Sequence, residues 1–143
     1  MQKIKFDSND IRYITLFESL THAKVKDCFE DMQETIVFVV QQGDIVKAVG
    51  KQGETAKKLR DLLKKKVKII EAHDDPVRFI KSLILPLKVD AVELQGQTIY
   101  LKSNDVRTKG LLIGKAAANL RNYEKTVQRY FPIKELKVTG LDS

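Results

Sequence analysis

The sequence has few of the residues on which disulfide, metal and acid/base chemistry depend. Its single cysteine, Cys28, excludes an internal disulfide framework and a four-thiolate metal site. The two histidines, His22 and His73, have no partner at ligand spacing, and there is no tryptophan. We therefore expect a reduced, cytoplasmic protein that binds neither a metal ion nor another cofactor.

Long apolar runs are also missing. No stretch approaches the roughly 18 uninterrupted apolar residues that a membrane span needs, so we expect no membrane-embedded segment. The first residues, Met1–Asp7, have no apolar core like that of a secretory signal. With 143 residues, of which 43% are hydrophobic and 31% charged, the chain can form one ordinary domain or two very small ones.

What the sequence does have is positive charge, and that charge is unevenly spread. Lysine and arginine number 26 against 19 acidic residues, which gives a formal net charge of +7. Residues 1–46 and 69–101 are net acidic, whereas residues 47–68 carry a net charge of +7 and residues 102–129 one of +5. Two separate basic blocks favour a polyanionic partner.

The hydrophobic periodicity predicts the same order of elements twice, namely helix, strand, strand, helix, helix, strand. This order predicts an α+β fold. In the first half, Asp44 is the expected cap of a short helix that Gly50 ends. The next helix is expected to bury Ala56, Leu59, Leu62 and Leu63. Strands are predicted at 26–29, 35–40, 67–70, 89–94, 98–101 and 133–138.

Asp74, Asp75 and Pro76 mark the boundary between the two halves. Proline is favoured at the first position of a helix, and an aspartate directly before it is a natural cap. Capping accounts for the paired carboxylates, so we do not interpret them as a catalytic pair. We predict two domains, residues 1–73 and residues 74–143.

The two halves form an internal repeat. The triplets Val49-Gly50-Lys51 and Ile113-Gly114-Lys115 stand 64 residues apart. Aligning the triplets pairs Lys57 with Arg121 and keeps the hydrophobic phase of the helix that follows each of them. Because charge, helix phase and element order agree together, the match indicates a duplication.

The first of these triplets opens a four-residue turn between two helices, Gly50–Gly53. Glycine lets the backbone adopt positive φ and lets another chain approach closely, and the start of a helix attracts anions. A P-loop is excluded, because six residues separate Gly43 from Gly50 and a glutamine follows the lysine. A phosphate is the ligand that this turn suits. A plain helix C-cap at Gly50 and a solvated helix end at Lys64–Lys66 remain open alternatives.

A Gly-x-x-Gly turn between two helices, beside a small sheet, is how KH domains hold single-stranded nucleic acid. On the motifs Ile45–Glu54 and Gly110–Ala117, the sequence resembles two KH domains of the prokaryotic type. Over about residues 4–141 it resembles the archaeal NusA-like transcription factors. The resemblance implies an α+β fold of two tandem type II KH domains, each a three-stranded sheet covered on one face by helices.

The resemblance also implies which residues bind RNA. Those of the first turn are Gly50, Lys51, Gln52 and Gly53. Those of the second turn are Gly114, Lys115, Ala116 and Ala117. Further phosphate contacts are expected from Lys57, Lys58 and Arg121. Ala117 departs from the second glycine of the pattern, so we expect the first turn to contribute more of the affinity.

Bases would be read beside the turns. Residues that can line such a groove are Val46, Val49, Leu112 and Ile113, and Tyr123 and Tyr130 can stack on bases. For each of these side chains, packing in the core is the alternative interpretation.

We therefore expect a non-enzymatic protein that binds single-stranded RNA and no membrane. The resemblance implies a transcription elongation, termination or antitermination factor acting on nascent RNA, with RNA polymerase or ribosomal components as partners. Two alternatives stay open. One is a KH-type ribosome or RNA-processing factor. The other is a protein–protein adaptor built on degenerate KH folds, for which the acidic residues 1–46 would suit a basic partner.

Overall fold

The computed structural model of the chain describes residues 8–142. The segment Met1–Asp7, for which we expect no secretory signal, lies outside that range. The chain divides into two compact units between His73 and Asp74. Among the helices of residues 8–142, none is long and apolar enough to cross a membrane.

Each unit repeats the predicted order of elements. The first unit contains α1 (Ser8–Thr21), β1 (Val25–Glu30), β2 (Thr35–Val40), α2 (Ile45–Val49), α3 (Glu54–Leu63) and β3 (Lys66–Glu71). The second unit contains α4 (Pro76–Ile84), β4 (Ala91–Gln95), β5 (Thr98–Lys102), α5 (Val106–Ile113), α6 (Ala118–Gln128) and β6 (Glu135–Thr139). A short 3₁₀ turn joins α2 to α3 and another joins α5 to α6.

The strands form two three-stranded sheets, in the orders β1-β2-β3 and β4-β5-β6. In each sheet the first two strands are antiparallel and the last two are parallel. Parallel neighbours need a crossover connection, and the paired helices α2–α3 and α5–α6 supply it. The α+β prediction is therefore confirmed, and the position of each helix pair follows from the strand order.

The core of the first unit lies between β2 and its helices. The sequence of β2, TIVFVV, consists of β-branched and aromatic residues, and Ile36 to Val40 are all buried. The Phe38 ring stacks on Phe17 of α1 with the ring centroids 4.5 Å apart. Ala48 from α2 and Leu59 from α3 complete the same cluster, so the two helices that flank the Gly50 turn are fixed by apolar packing.

Leu62 was predicted to be buried, and that prediction is wrong. Its side chain is 61% exposed. The inward line of α3 runs through Thr55, Leu59 and Leu63 at a spacing of four residues, and this line leaves Leu62 on the solvent side.

Asp44 precedes α2 as predicted, but its carboxylate makes no capping hydrogen bond. Its Oδ2 atom instead accepts a hydrogen bond of 2.9 Å from the N–H of Lys24, and its Oδ1 atom lies 3.6 Å from Lys47 Nζ. The carboxylate therefore ties the start of the helix to the chain before β1, and the bond to Lys24 spans 20 residues.

The cap predicted at Asp75 is confirmed. Pro76 is the first residue of α4, and Asp75 Oδ1 accepts a hydrogen bond of 3.1 Å from the N–H of Val77. The helix then buries Phe79, whose ring meets the edge of Tyr130 at a centroid distance of 5.2 Å. The pair of aspartates at residues 74 and 75 thus includes a structural cap.

Replacing the capping carboxylate should destabilise the second unit selectively. We expect Asp75→Ala to lower the free energy of unfolding by about 1 kcal/mol, because the first N–H groups of α4 lose their acceptor. Asp74→Ala removes a neighbouring exposed carboxylate and should change it by less than about 0.5 kcal/mol. Urea unfolding of both variants tests this. Equal effects would contradict the assignment of the cap to Asp75.

Candidate nucleic-acid interface

The first Gly-Lys turn has an unusual backbone. Gly50 has φ 71° and ψ −175°, Gln52 has φ 53° and ψ 29°, and Gly53 has φ 70° and ψ 27°. Three of the four turn residues therefore hold positive φ, a region that residues other than glycine, asparagine and aspartate rarely adopt. The chain reverses within these residues, and Lys51 and Gln52 are exposed at the tip.

The second turn has the same backbone. Gly114 has φ 73° and ψ 177°, Ala116 has φ 53° and ψ 32°, and Ala117 has φ 62° and ψ 22°. Each value lies within 10° of its counterpart 64 residues earlier. Ala117 was expected to make this turn different, but the structure holds it in the left-handed conformation of Gly53. The backbone therefore does not distinguish the two turns, and the expectation that the first turn contributes more of the affinity stays a prediction.

Glycine is required at the first position of each turn for two reasons. A positive φ combined with ψ near 180° is accessible essentially to glycine alone. Space is also lacking, because a Cβ atom on Gly50 would lie 2.8 Å from Glu54 Cγ, and one on Gly114 would lie 2.6 Å from Asn119 Cγ. At Gly53 an added Cβ would meet nothing within 4 Å, so alanine at this position brings backbone strain and no clash.

The predicted phosphate contacts are not equally available. The charged side chains among these predicted contacts are all exposed. Four of them make no ion pair within residues 8–142. These four are Lys51, Lys57, Lys58 and Lys115.

Arg121 differs from these lysines, because its guanidinium is already paired. Its Nη1 atom donates to both carboxylate oxygens of Glu124, at 3.1 Å and 3.0 Å. Glu124 Oε2 also accepts the backbone N–H of Leu136 at 3.0 Å. Arg121 is the fourth residue of α6, as Lys57 is of α3, in agreement with the repeat, but part of its hydrogen-bonding capacity serves the fold.

Three of the nine cations in the basic block at residues 47–68 are likewise paired or partly buried. Lys65 Nζ lies 2.8 Å from Glu30 Oε1, and this hydrogen bond raises the pKa of the lysine. Burial lowers the pKa of Lys68 on β3, and Lys47 faces Asp44. The cations of the block that form no ion pair within residues 8–142 are Lys51, Lys57, Lys58, Arg60, Lys64 and Lys66.

The candidate groove residues divide into exposed and buried ones. Val46 is 82% exposed on α2, whereas Leu112 and Tyr130 are buried and belong to the core. Val49, Ile113 and Tyr123 are half-buried. Stacking of Tyr130 on a base is therefore excluded in this conformation.

An exposed valine at the start of α5 was missed in the sequence, whereas a cap at Asn104 or Asp105 was expected there. Val106, its first residue, is 80% exposed, and no periodicity distinguishes it from a core valine. Asp105 caps the helix, since its carboxylate accepts hydrogen bonds from the N–H and the hydroxyl of Thr108, and these bonds lower the pKa of Asp105. The cap fixes the helix that leads into the second turn.

Comparison with known proteins identifies the class of fold. Residues 11–109 match the family model described as KH domain, a segment that includes the first turn and ends before the second. A protein of Methanococcus vannielii named "Probable transcription termination protein NusA" is 34% identical over 96% of this chain and 81% of its own length. A protein of the same name from Methanocaldococcus jannaschii is 30% identical over 96% of this chain and 76% of its own length.

The crystal structure of APE1850 matches with a TM-score of 0.73 and 25% identity, over 93% of this chain and 99% of that chain. The chain therefore belongs to the KH-domain family, and within it to the archaeal NusA-like proteins. KH domains are RNA-binding modules rather than enzymes. They clamp about four backbone nucleotides at a Gly-x-x-Gly loop.

The shared backbone of the two turns predicts opposite effects of reciprocal substitutions. Gly53→Ala should destabilise the first unit by about 1 kcal/mol, because alanine is strained at positive φ. Ala117→Gly should stabilise the second unit by about 0.5 kcal/mol, since the relief of strain exceeds the extra chain entropy of glycine. Gly50→Ala should cost more than Gly53→Ala, because the φ and ψ of Gly50 are accessible essentially to glycine alone and an added Cβ would also displace the Glu54 side chain.

Chemical denaturation followed by circular dichroism measures all three changes. A destabilising Ala117→Gly would show that residue 117 is not held in the left-handed region.

Proposed function

We propose that the chain binds single-stranded RNA through two tandem type II KH domains, residues 1–73 and residues 74–143. The repeated turn is the observation that carries this proposal. Two segments of different sequence, Gly50–Gly53 and Gly114–Ala117, hold the same backbone and both place an exposed lysine at the tip. Backbone strain of this kind is concentrated at functional sites, so its presence in both turns supports a binding role for them.

The chemistry of each turn suits a sugar-phosphate backbone. Glycine at the first position leaves no side chain to block the approach of a phosphate. The lysine supplies a mobile positive charge, and the N-terminus of the following helix adds a favourable dipole. Lys57 and Lys58 extend the positive surface along the exposed side of α3. Such contacts fix the strand without reading its sequence.

Base preference in this proposal comes from apolar surface beside the turns. Val46 lies on α2, four residues before Gly50, and its side chain is almost fully in solvent. An exposed valine at one helical turn from a phosphate clamp offers a flat apolar contact for a base. The equivalent position in the second unit is Gly110, so the two units would differ in what they read.

The relatives suggest the cellular role. Proteins similar to this chain over most of its length are named as probable transcription termination proteins. We propose accordingly that the chain acts on nascent RNA in the cytoplasm as an elongation, termination or antitermination factor, with RNA polymerase as its protein partner.

The first test compares two charge reversals, one in the turn before α3 and one at the residue that follows the helix. Lys51→Asp should weaken binding to a pool of single-stranded RNAs by about tenfold or more, because a charged hydrogen bond to phosphate is lost and a repulsion is added. Lys64→Asp is the matched control. It carries the same change in charge, lies about 15 Å away at the other end of the helix and occupies a left-handed position that aspartate tolerates.

Salt titration of the same complexes distinguishes a clamp from general attraction. The slope of log affinity against log salt should become less steep by about 0.7 in Lys51→Asp, which corresponds to one phosphate contact on a single strand. Equal losses in the two variants would mean that net charge, and not the turn, holds the RNA. Undiminished binding by Lys51→Asp would remove the first turn from the proposal.

A pull-down from archaeal cells tests the transcriptional part separately. The tagged native protein should retain RNA polymerase subunits after nuclease treatment if the contact is direct. Retention of ribosomal subunits without polymerase would favour the ribosomal or RNA-processing alternative.

A further inference from the structure

The first residue of α3, Glu54, lies against the first turn. Its Cγ and Oε1 atoms approach Gly50 so closely that a Cβ atom there would be 2.8 Å and 2.9 Å away from them. The side chain is exposed, and its carboxylate makes no hydrogen bond or ion pair with any residue of the range 8–142. An unneutralised negative charge therefore sits on the backbone that the proposed function assigns to a phosphate.

The Glu54 carboxylate lies at the N-terminus of α3, where an anionic ligand of the turn would bind. Negative charge is favoured near the N-terminus of a helix, and Glu54 is the acidic residue in the first turn of α3. A phosphate that reaches the same helix end from Lys51 would have to share or displace that favourable position. Two like charges at close range repel, and the repulsion is strongest at low ionic strength.

The second turn lacks this charge. The residue equivalent to Glu54 is Ala118, and the first turn of α6 contains no acidic side chain. Gly114 is covered instead by Asn119, a neutral amide whose Nδ2 atom donates a hydrogen bond of 2.8 Å to the carbonyl of Leu111. The two turns therefore share a backbone and differ in the charge that covers their first glycine.

We propose that Glu54 is an internal competitor for the RNA phosphate at the first turn and limits the affinity of that turn. The second turn has no such competitor. It therefore contributes more of the RNA binding than the replacement of the motif's second glycine by Ala117 would suggest. This role rests on the RNA-binding function proposed above, and it concerns a residue outside the glycine-lysine clamp itself.

Removing the charge while keeping the shape tests the role directly. Glu54→Gln should tighten binding of single-stranded RNA about two- to fivefold at low salt, and the gain should shrink at high salt. The same variant should unfold at a slightly lower temperature, because α3 loses a favourable interaction with its dipole. Tighter binding together with lower stability is a combination that a merely structural glutamate would not give.

Two further variants control the result. Asp61→Asn removes one exposed negative charge from α3 about two helical turns away, and it should change RNA affinity much less than Glu54→Gln. Ala118→Glu introduces a carboxylate at the equivalent place in the second unit, and it should weaken binding about two- to fivefold. All titrations use the full chain in buffer with EDTA, followed by a repeat with Mg²⁺.

Several outcomes would overturn the role. Unchanged or weaker binding by Glu54→Gln, alongside a clear loss for Lys51→Asp, would mean that Glu54 supports the turn rather than competes for it. A loss by Glu54→Gln that occurs only with Mg²⁺ would mean that the carboxylate holds a cation together with the RNA. No effect of either Lys51→Asp or Glu54→Gln would overturn both this role and the proposed clamp at the first turn.

Discussion

The structure depends on a backbone that turns through the left-handed region between two helices. Because three of four residues in each turn hold positive φ, the chain reverses direction within four residues. This reversal lets α3 return over the sheet and deliver β3 parallel to β2. Without it the crossover would need a longer connection, and Ala48 and Leu59 would not meet Phe38 in one core. The same residues that allow the fold are therefore those that expose the lysine at its tip.

The first residue of each turn holds a more restricted backbone conformation than the other residues with positive φ. Gly50 and Gly114 occupy a region that no other residue enters easily, whereas Gln52, Ala116 and Ala117 hold ordinary left-handed helical values. The ordinary region costs an L-residue about 1–2 kcal/mol, which apolar packing of the flanking helices can offset. This difference explains why glycine recurs at the first position of the motif while the last position accepts alanine.

Local sequence patterns predicted the element order, the α+β class, the cap at Asp75 and the repeat of the Gly-Lys turn, because each depends on residues close together in the chain. Contacts between distant residues could not be predicted. The bond from Asp44 to Lys24 and the bond from Glu124 to Leu136 connect segments that only the folded chain brings together. The burial of Tyr130 against Phe79 is of the same kind. The affinity of either turn for RNA, and the role of Arg121 in it, stay predictions.

Net charge and available charge differ in this molecule. The basic block that suggested a polyanionic partner contains lysines that are paired with Glu30 or Asp44 or are buried on β3. Lys51, Lys57 and Lys58 form no ion pair within residues 8–142, and Glu54, whose carboxylate forms none there either, lies between Lys51 and Lys57 in the sequence. Only the first turn has both glycines of the Gly-x-x-Gly motif, yet the two turns have the same backbone conformation. The charge and hydrogen bonding of the residues that follow each turn do differ between the two units, and the binding of a charged ligand depends on both.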